Sequence, residues 1–116
     1  MASPVVHFEI ASTDPAGTKS FVAEMFGWKL EDIPGPFDYS MVDTGIEGAI
    51  RGGVGGAPSG EGHTTFYVQV DEVQAALDRA KALGGQAVMG PQEVPGGSKI
   101  GLITTPAGQL VGLIGN

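Results

Sequence analysis

The stretch VVHFEIASTDPAGTKSFVAEMFGW, residues 5–28, carries a strand, a helix start and a helix stop in order. Val6, Phe8 and Ile10 alternate with His7 and Glu9, the period-two pattern of a strand that buries one face. Asp14 followed by Pro15 predicts a helix start. An N-cap carboxylate accepts an orphan N–H there, and proline gives up no hydrogen bond at the first helical position. Gly27 predicts the end of that helix. Phe21, Val22, Met25 and Phe26 share one helix face and are expected to lie on a sheet.

A second copy of this order begins at HTTFYVQVDEVQAALDRAKALGG, residues 63–85. Phe66, Val68 and Val70 alternate with Thr65, Tyr67 and Gln69, and His63 falls on the polar side. Asp71 with Gln74 matches a capping box, and Val73, Leu77, Ala80 and Leu83 or Gly84 trace the apolar stripe. Lys81 suits the last turn, and Gly84 or Gly85 supplies the stop. Further strands are expected at 28–33, 37–43, 48–54, 86–89, 98–104 and 109–114. The pattern is strand, helix, three strands, a Gly-rich join at 51–62, and the same again. The expected fold is α+β, a single domain over residues 1–116. Module 1 spans about 4–54 and module 2 about 63–115. Aligning the two helix starts sets Asp14 against Glu72, His7 against Thr65 and Glu9 against Tyr67.

Composition narrows the function. The net charge is −7, and the six basic residues Lys19, Lys29, Arg51, Arg79, Lys81 and Lys99 are scattered along the chain. Nucleic-acid binding needs clustered cations, so it is not expected. The absence of cysteine removes disulfides, thiolate metal sites and thiol nucleophiles. No apolar run approaches the length of a membrane span and MASPVVHFEI lacks the features of a secretory leader, so a cytoplasmic location is expected. GGVGG at 52–56 lacks G-x-G-x-x-G spacing and opens no helix, so it reads as a flexible join rather than a dinucleotide loop.

The doubled order, with FGW at 26–28, LGG at 83–85 and TPAGQLVGL at 105–113, resembles the vicinal oxygen chelate superfamily. That group contains glyoxalases, bleomycin-resistance proteins and extradiol dioxygenases, and the small bacterial glyoxalase-like proteins are the most similar in pattern. The resemblance implies two tandem βαβββ modules forming a U-shaped open barrel with a concave cleft, in a homodimer. It also implies, for enzymatic members, one divalent metal such as Zn, Ni, Mn or Fe held by His and Glu side chains. His7 falls on the ligand histidine of the first strand, and its repeat position is Thr65. The acid expected on the last strand falls on Gly112, while the matching segment GIEGAIRGG of module 1 contains Glu47. His63 lies two residues from Thr65, roughly 7 Å along a strand, too far to replace it on one metal.

His7 is therefore the only candidate at a metal-ligand position, and no metal cofactor is expected. The reading that follows is a small-molecule-binding protein with a degenerate metal site. Its expected ligand-binding residues are His7, Glu9, Trp28, Tyr39, Arg51, Thr65, Tyr67 and Gln69. Each has a plainer reading. His7 and Glu9 form a hydrogen-bonded pair on a polar face, Trp28 anchors packing, Tyr67 and Gln69 line the solvated face of an edge strand, and Arg51 pairs with Glu47 or has no partner. The alternative is a lyase, isomerase or dioxygenase-type enzyme using His7 with a divalent metal, or the His7/Glu9 pair alone for proton transfer. A dimerising module with no ligand of its own is the third reading.

Overall fold

Both expected helices form, and the first starts and stops where its local signals place it. A computed structural model describes residues 2–35, 38–57 and 60–116. Asp14 caps α1 (Pro15–Phe26) by accepting the Gly17 N–H at 3.2 Å, and Gly27 ends it in the left-handed region at φ 71°. The second helix, α2 (Val73–Ala82), starts differently from its sequence signal. Its N-cap is Glu72, with no side-chain cap bond, and Gln74 Nε2 donates instead to Asp78 Oδ1 at 3.1 Å. The carbonyl of Asn116 accepts the Val73 N–H at 2.8 Å, so backbone does what the capping box was expected to do.

The strands are β1 (Val5–Ser12), β2 (Lys29–Asp32), β3 (Tyr39–Asp43), β4 (Arg51–Gly56), β5 (His63–Gln69), β6 (Gln86–Glu93), β7 (Lys99–Thr104) and β8 (Leu110–Gly115). The order is βαβββ twice, an α+β fold. Phe37 of the expected third strand, and Pro58 and Ser59 of the join, lie outside the described residues. Three boundaries move. The Gly-rich join is itself strand β4 over its first half. Residues 48–50 precede that strand rather than open it, and β6 runs on to Glu93. No described helix is long and apolar enough to cross a membrane.

The chain divides into two compact units, His7–Thr64 and Met1–Val6 with Thr65–Asn116. Within His7–Thr64 the strands lie in the order β2-β3-β4-β1, with β1 and β4 parallel and the other pairs antiparallel. Val22 of α1 packs on Val42 and Val54, with Phe8, Ile10, Trp28 and Leu30 around them. Phe21, Met25 and Phe26, expected to join that core, are 62%, 64% and 56% exposed. The apolar stripe of α1 is wider than its line of contact with the sheet, which Val22 fills. Ser40, fully buried, donates to Asp32 Oδ1 at 2.5 Å and so keeps its hydroxyl satisfied.

The other unit repeats the arrangement as β5-β8-β7-β6, with β5 and β8 parallel. Its core is Val73, Leu77 and Leu113, with Val70, Ala76 and Ile103 packed against them. The N–H of Gln69 donates to the carbonyl of Pro4 at 2.9 Å. Phe66, expected under a helix, is 41% exposed, whereas Tyr67 is 4% exposed. In this unit α2 packs on β6, β7 and β8.

Candidate functional site

Strand β4 reads RGGVGG, and its glycines decide what the polar face of the first module looks like. In register, His7 lies opposite Arg51 and Glu9 opposite Gly53, while Tyr39 lies opposite Gly55 and Met41 opposite Gly53. Side chains alternate along each strand, so His7, Glu9, Arg51, Tyr39 and Met41 share the face away from α1. Phe8, Ile10, Val42 and Val54 share the face towards α1, where the core forms.

The glycines are seats for aromatic rings. A Cβ on Gly53 would collide with the Tyr39 hydroxyl and ring, and one on Gly55 would meet Tyr39 Cδ1 at 2.6 Å. On the opposite face, a Cβ on Gly52 would collide with the Phe8 ring. The Tyr39 ring therefore lies across two glycines of β4 and reaches β1, where its hydroxyl is 2.9 Å from His7 Nε2. What composition reads as a flexible join is a buried strand whose missing side chains admit two rings.

Burial is the main influence on both partners. It lowers the His7 pKa from its ordinary value of 6.5, with Glu9 opposing the shift, and it raises that of Tyr39, with Glu9 adding to the rise. The pair is accordingly a neutral imidazole and a protonated phenol at neutral pH. Because its folded pKa is depressed, His7 costs no stability above about pH 6.5, where both states are neutral. As pH falls below that value the unfolded chain takes up the proton first, so stability is lost down to the folded pKa. Urea unfolding at pH 7.5 and 5.5 is expected to show a larger acid-side loss in wild type than in His7→Gln. Equal losses would remove His7 as the source.

Arg51 is exposed and lines two shallow hollows of about 320 and 290 Å³ in the same unit. The first is formed by residues 42–51, the second by Glu31, Ile33, Met41, Val42, Asp43 and Arg51. Neither is lined by His7, Glu9 or Tyr39. Among the described residues no carboxylate lies within ion-pair distance of Arg51, so of its two plain alternatives the one without a Glu47 pair holds. Trp28 belongs to the core, its ring centroid 5.3 Å from Phe8 and 5.0 Å from Phe26. In the other unit Thr65 is buried and donates to the carbonyls of Leu110 at 3.3 Å and Phe66 at 3.4 Å. The Tyr67 ring lies over Gly112, and Gln69 is exposed. His63 Nε2 is buried with no hydrogen-bond partner among the described residues.

A match to the glyoxalase/bleomycin resistance protein/dioxygenase superfamily model covers residues 5–113. The chain belongs to that superfamily. Two curated relatives, both named "Putative glyoxylase CFP32", from Mycobacterium bovis and Mycobacterium tuberculosis, are 33% identical over 111 residues, 90% of this chain and 42% of theirs. The chain thus spans less than half the length of these relatives. Among solved structures, hypothetical protein BH1468 of Bacillus halodurans C-125 has a TM-score of 0.71 at 18% identity, covering 100% of this chain and 96% of that one. A Streptomyces coelicolor methylmalonyl-CoA epimerase variant in complex with 2-nitronate-propionyl-CoA has a TM-score of 0.69 at 19% identity, covering 100% and 99%. The Mn(II)-bound glyoxalase of Novosphingobium aromaticivorans has a TM-score of 0.65 at 17% identity, covering 96% and 37%. At these identities the structures share the fold.

Membership in the glyoxalase superfamily makes the metal-ligand positions worth placing one by one. Strand pairing resolves the register that the segment GIEGAIRGG left open. Glu9 pairs with Gly53 in one module as Tyr67 pairs with Gly112 in the other, so the acid position of module 1 is Gly53. Glu47 lies in a turn ahead of β4. In the first unit these positions carry an imidazole and a glycine, fewer than the three or four donors a divalent site requires; in the other unit the matching positions are a threonine and a glycine. Among the described residues no group of three or more His, Cys, Asp or Glu is placed to hold a metal ion. Gly53 and Gly55, read from the sequence as part of a flexible join, are the residues of this face that sequence reasoning missed; carrying the expected 48–54 strand on through RGGVGG would have placed both on it.

Proposed function

We propose that this glyoxalase-superfamily chain is a small-molecule-binding protein with a degenerate metal site, acting as a cytoplasmic homodimer. Its ligand is held over the polar face of module 1 by His7, Glu9, Tyr39 and Arg51. The observation that carries the reading is the His7–Tyr39 hydrogen bond across a floor of glycines. It gathers polar groups on the face away from α1, the kind of surface where a small ligand is met by a few convergent hydrogen-bonding side chains. The relation to folds that bind acyl-CoA compounds supports a small-molecule role, and a net charge of −7 does not oppose a cationic ligand. The exposed Phe21, Met25 and Phe26 of α1 supply apolar surface for a second copy.

A second reading has its own support. His7 stands at a family ligand position, and the curated relatives are named as glyoxylases. On that reading the chain is a lyase or isomerase that uses His7 with a divalent metal, or with Glu9 in proton transfer.

Thermal-shift screening of untagged protein separates the two. Cationic natural products and acyl-CoA esters are the compounds to screen. A ligand at about 100 times its Kd adds about 2.7 kcal/mol of stability, which is a rise of several degrees in Tm. The rise is expected to shrink in Tyr39→Phe. A stoichiometric divalent ion in the purified protein, lost in His7→Ala, would replace the first reading by the second.

A further inference from the structure

We propose that the Tyr39 hydroxyl takes over the place at His7 that a metal ion holds in metal-binding relatives, so that a ligand meets a phenol locked to an imidazole. This rests on the metal-free reading above and names the group that replaces the metal. Three observations converge on it. The hydroxyl is 2.9 Å from His7 Nε2. It occupies the space in which a side chain at Gly53 would begin, and Gly53 is the register counterpart of the family's acid ligand. Gly55, the next residue of β4 on that face, leaves room for the rest of the ring.

The chemistry is exclusive. A neutral imidazole has one nitrogen that donates and one that accepts. If the phenol donates to Nε2, that lone pair is used; if Nε2–H donates to the phenol, Nε2 has no lone pair to give. In either arrangement a metal reaches Nε2 only by breaking the bond. A glutamate at position 53 and Tyr39 in its present place are likewise incompatible, because the new Cβ would collide with the hydroxyl. Tyr39 and Gly53 are therefore one device. The phenol oxygen has further hydrogen-bonding capacity beyond His7, so it receives a single ligand oxygen or nitrogen by a directed hydrogen bond. The ligand class is a molecule with one hydroxyl, carbonyl or amine group presented to this face, with no need for two vicinal oxygens.

The test is a long-range proton–nitrogen NMR spectrum of the two histidine rings in untagged, nitrogen-15-labelled protein, with and without equimolar Zn²⁺. Wild-type His7 is expected to be unmoved by Zn²⁺. In Tyr39→Phe and Gly53→Ala the His7 Nε2 resonance is expected to shift, with the His63 signals unchanged. Zn²⁺ that shifts or broadens His7 in wild type would overturn the proposal, and so would a Tyr39→Phe spectrum in which His7 does not move. Should Gly53→Ala fail to fold, Tyr39→Phe removes a single oxygen atom and still decides the matter. The outcomes separate the two claims. A chain that gives the expected spectrum but binds nothing in the ligand screen keeps the phenol–imidazole pair and loses only its role in binding.

Discussion

Gly52→Val is expected to destabilise the chain by about 2–3 kcal/mol, the upper part of the roughly 1–3 kcal/mol range for overpacking a filled core. Gly52 is buried in β4, and any Cβ there would enter the Phe8 ring. That ring packs against the Val22, Val42 and Val54 cluster, so it cannot retreat without disturbing the module's core. Val54, two residues on and on the same face, is fully buried, which leaves the strand little freedom to shift. Urea unfolding of wild type, Gly52→Val, Phe8→Leu and the double variant reads the coupling directly. If the ring is the obstacle, the double variant should be more stable than the sum of the single losses by about 1 kcal/mol or more, as expected for residues in contact. Additive losses would place the strain elsewhere in the strand.

Leu77→Ala is expected to cost about 3 kcal/mol, through lost apolar transfer energy and the cavity left behind. Leu77 is 2% exposed and is the anchor of α2, packed with Val73 and Leu113. The sheet beneath it is built close: a Cβ on Gly101 would meet Leu77 Cδ2 at 3.3 Å and Val73 Cγ1 at 3.0 Å. The glycine gives the leucine its seat but offers no side chain to collapse into the space it vacates. A loss of that size is a large share of the roughly 5–15 kcal/mol by which domains are stable. It should lower Tm by about 10 °C or more, whereas Leu83→Ala, which removes a largely exposed side chain, should change it little. Equal effects from the two substitutions would mean that α2 is not seated as described.

Much of the architecture was legible because its signals are local. Asp14, Pro15 and Gly27 act within a few residues of themselves, and they bound α1 as expected. The alternation in VVHFEI names a strand with one polar face, and the second copy of the order names the repeat. The failures have equally specific causes. The Asp71/Gln74 box lost to a backbone carbonyl from Asn116, far along the chain. Phe21, Met25 and Phe26 obey helical spacing, yet spacing cannot say how wide a strip the sheet will cover. RGGVGG has the composition of a linker; only its neighbours, Phe8 and Tyr39, make its glycines structural.

The candidate site divides along the same line. His7, Glu9, Tyr39 and Arg51 were named from the sequence, and the strands of module 1 place them on one face. Their chemistry was not legible. His7 and Tyr39 are 32 residues apart and touch because β3 and β1 flank a strand whose Gly53 and Gly55 leave that face open between them. The sequence by itself determined the order of the elements, the doubling of the βαβββ unit and the presence of one histidine where a metal ligand is expected. Those follow from periodicity and caps, which each segment carries within itself. Only the tertiary structure decided that Gly53 lies opposite Glu9 and that a phenol lies beside the histidine. Both depend on strand register, which is set by pairing between distant segments and by rings that need the space glycine leaves.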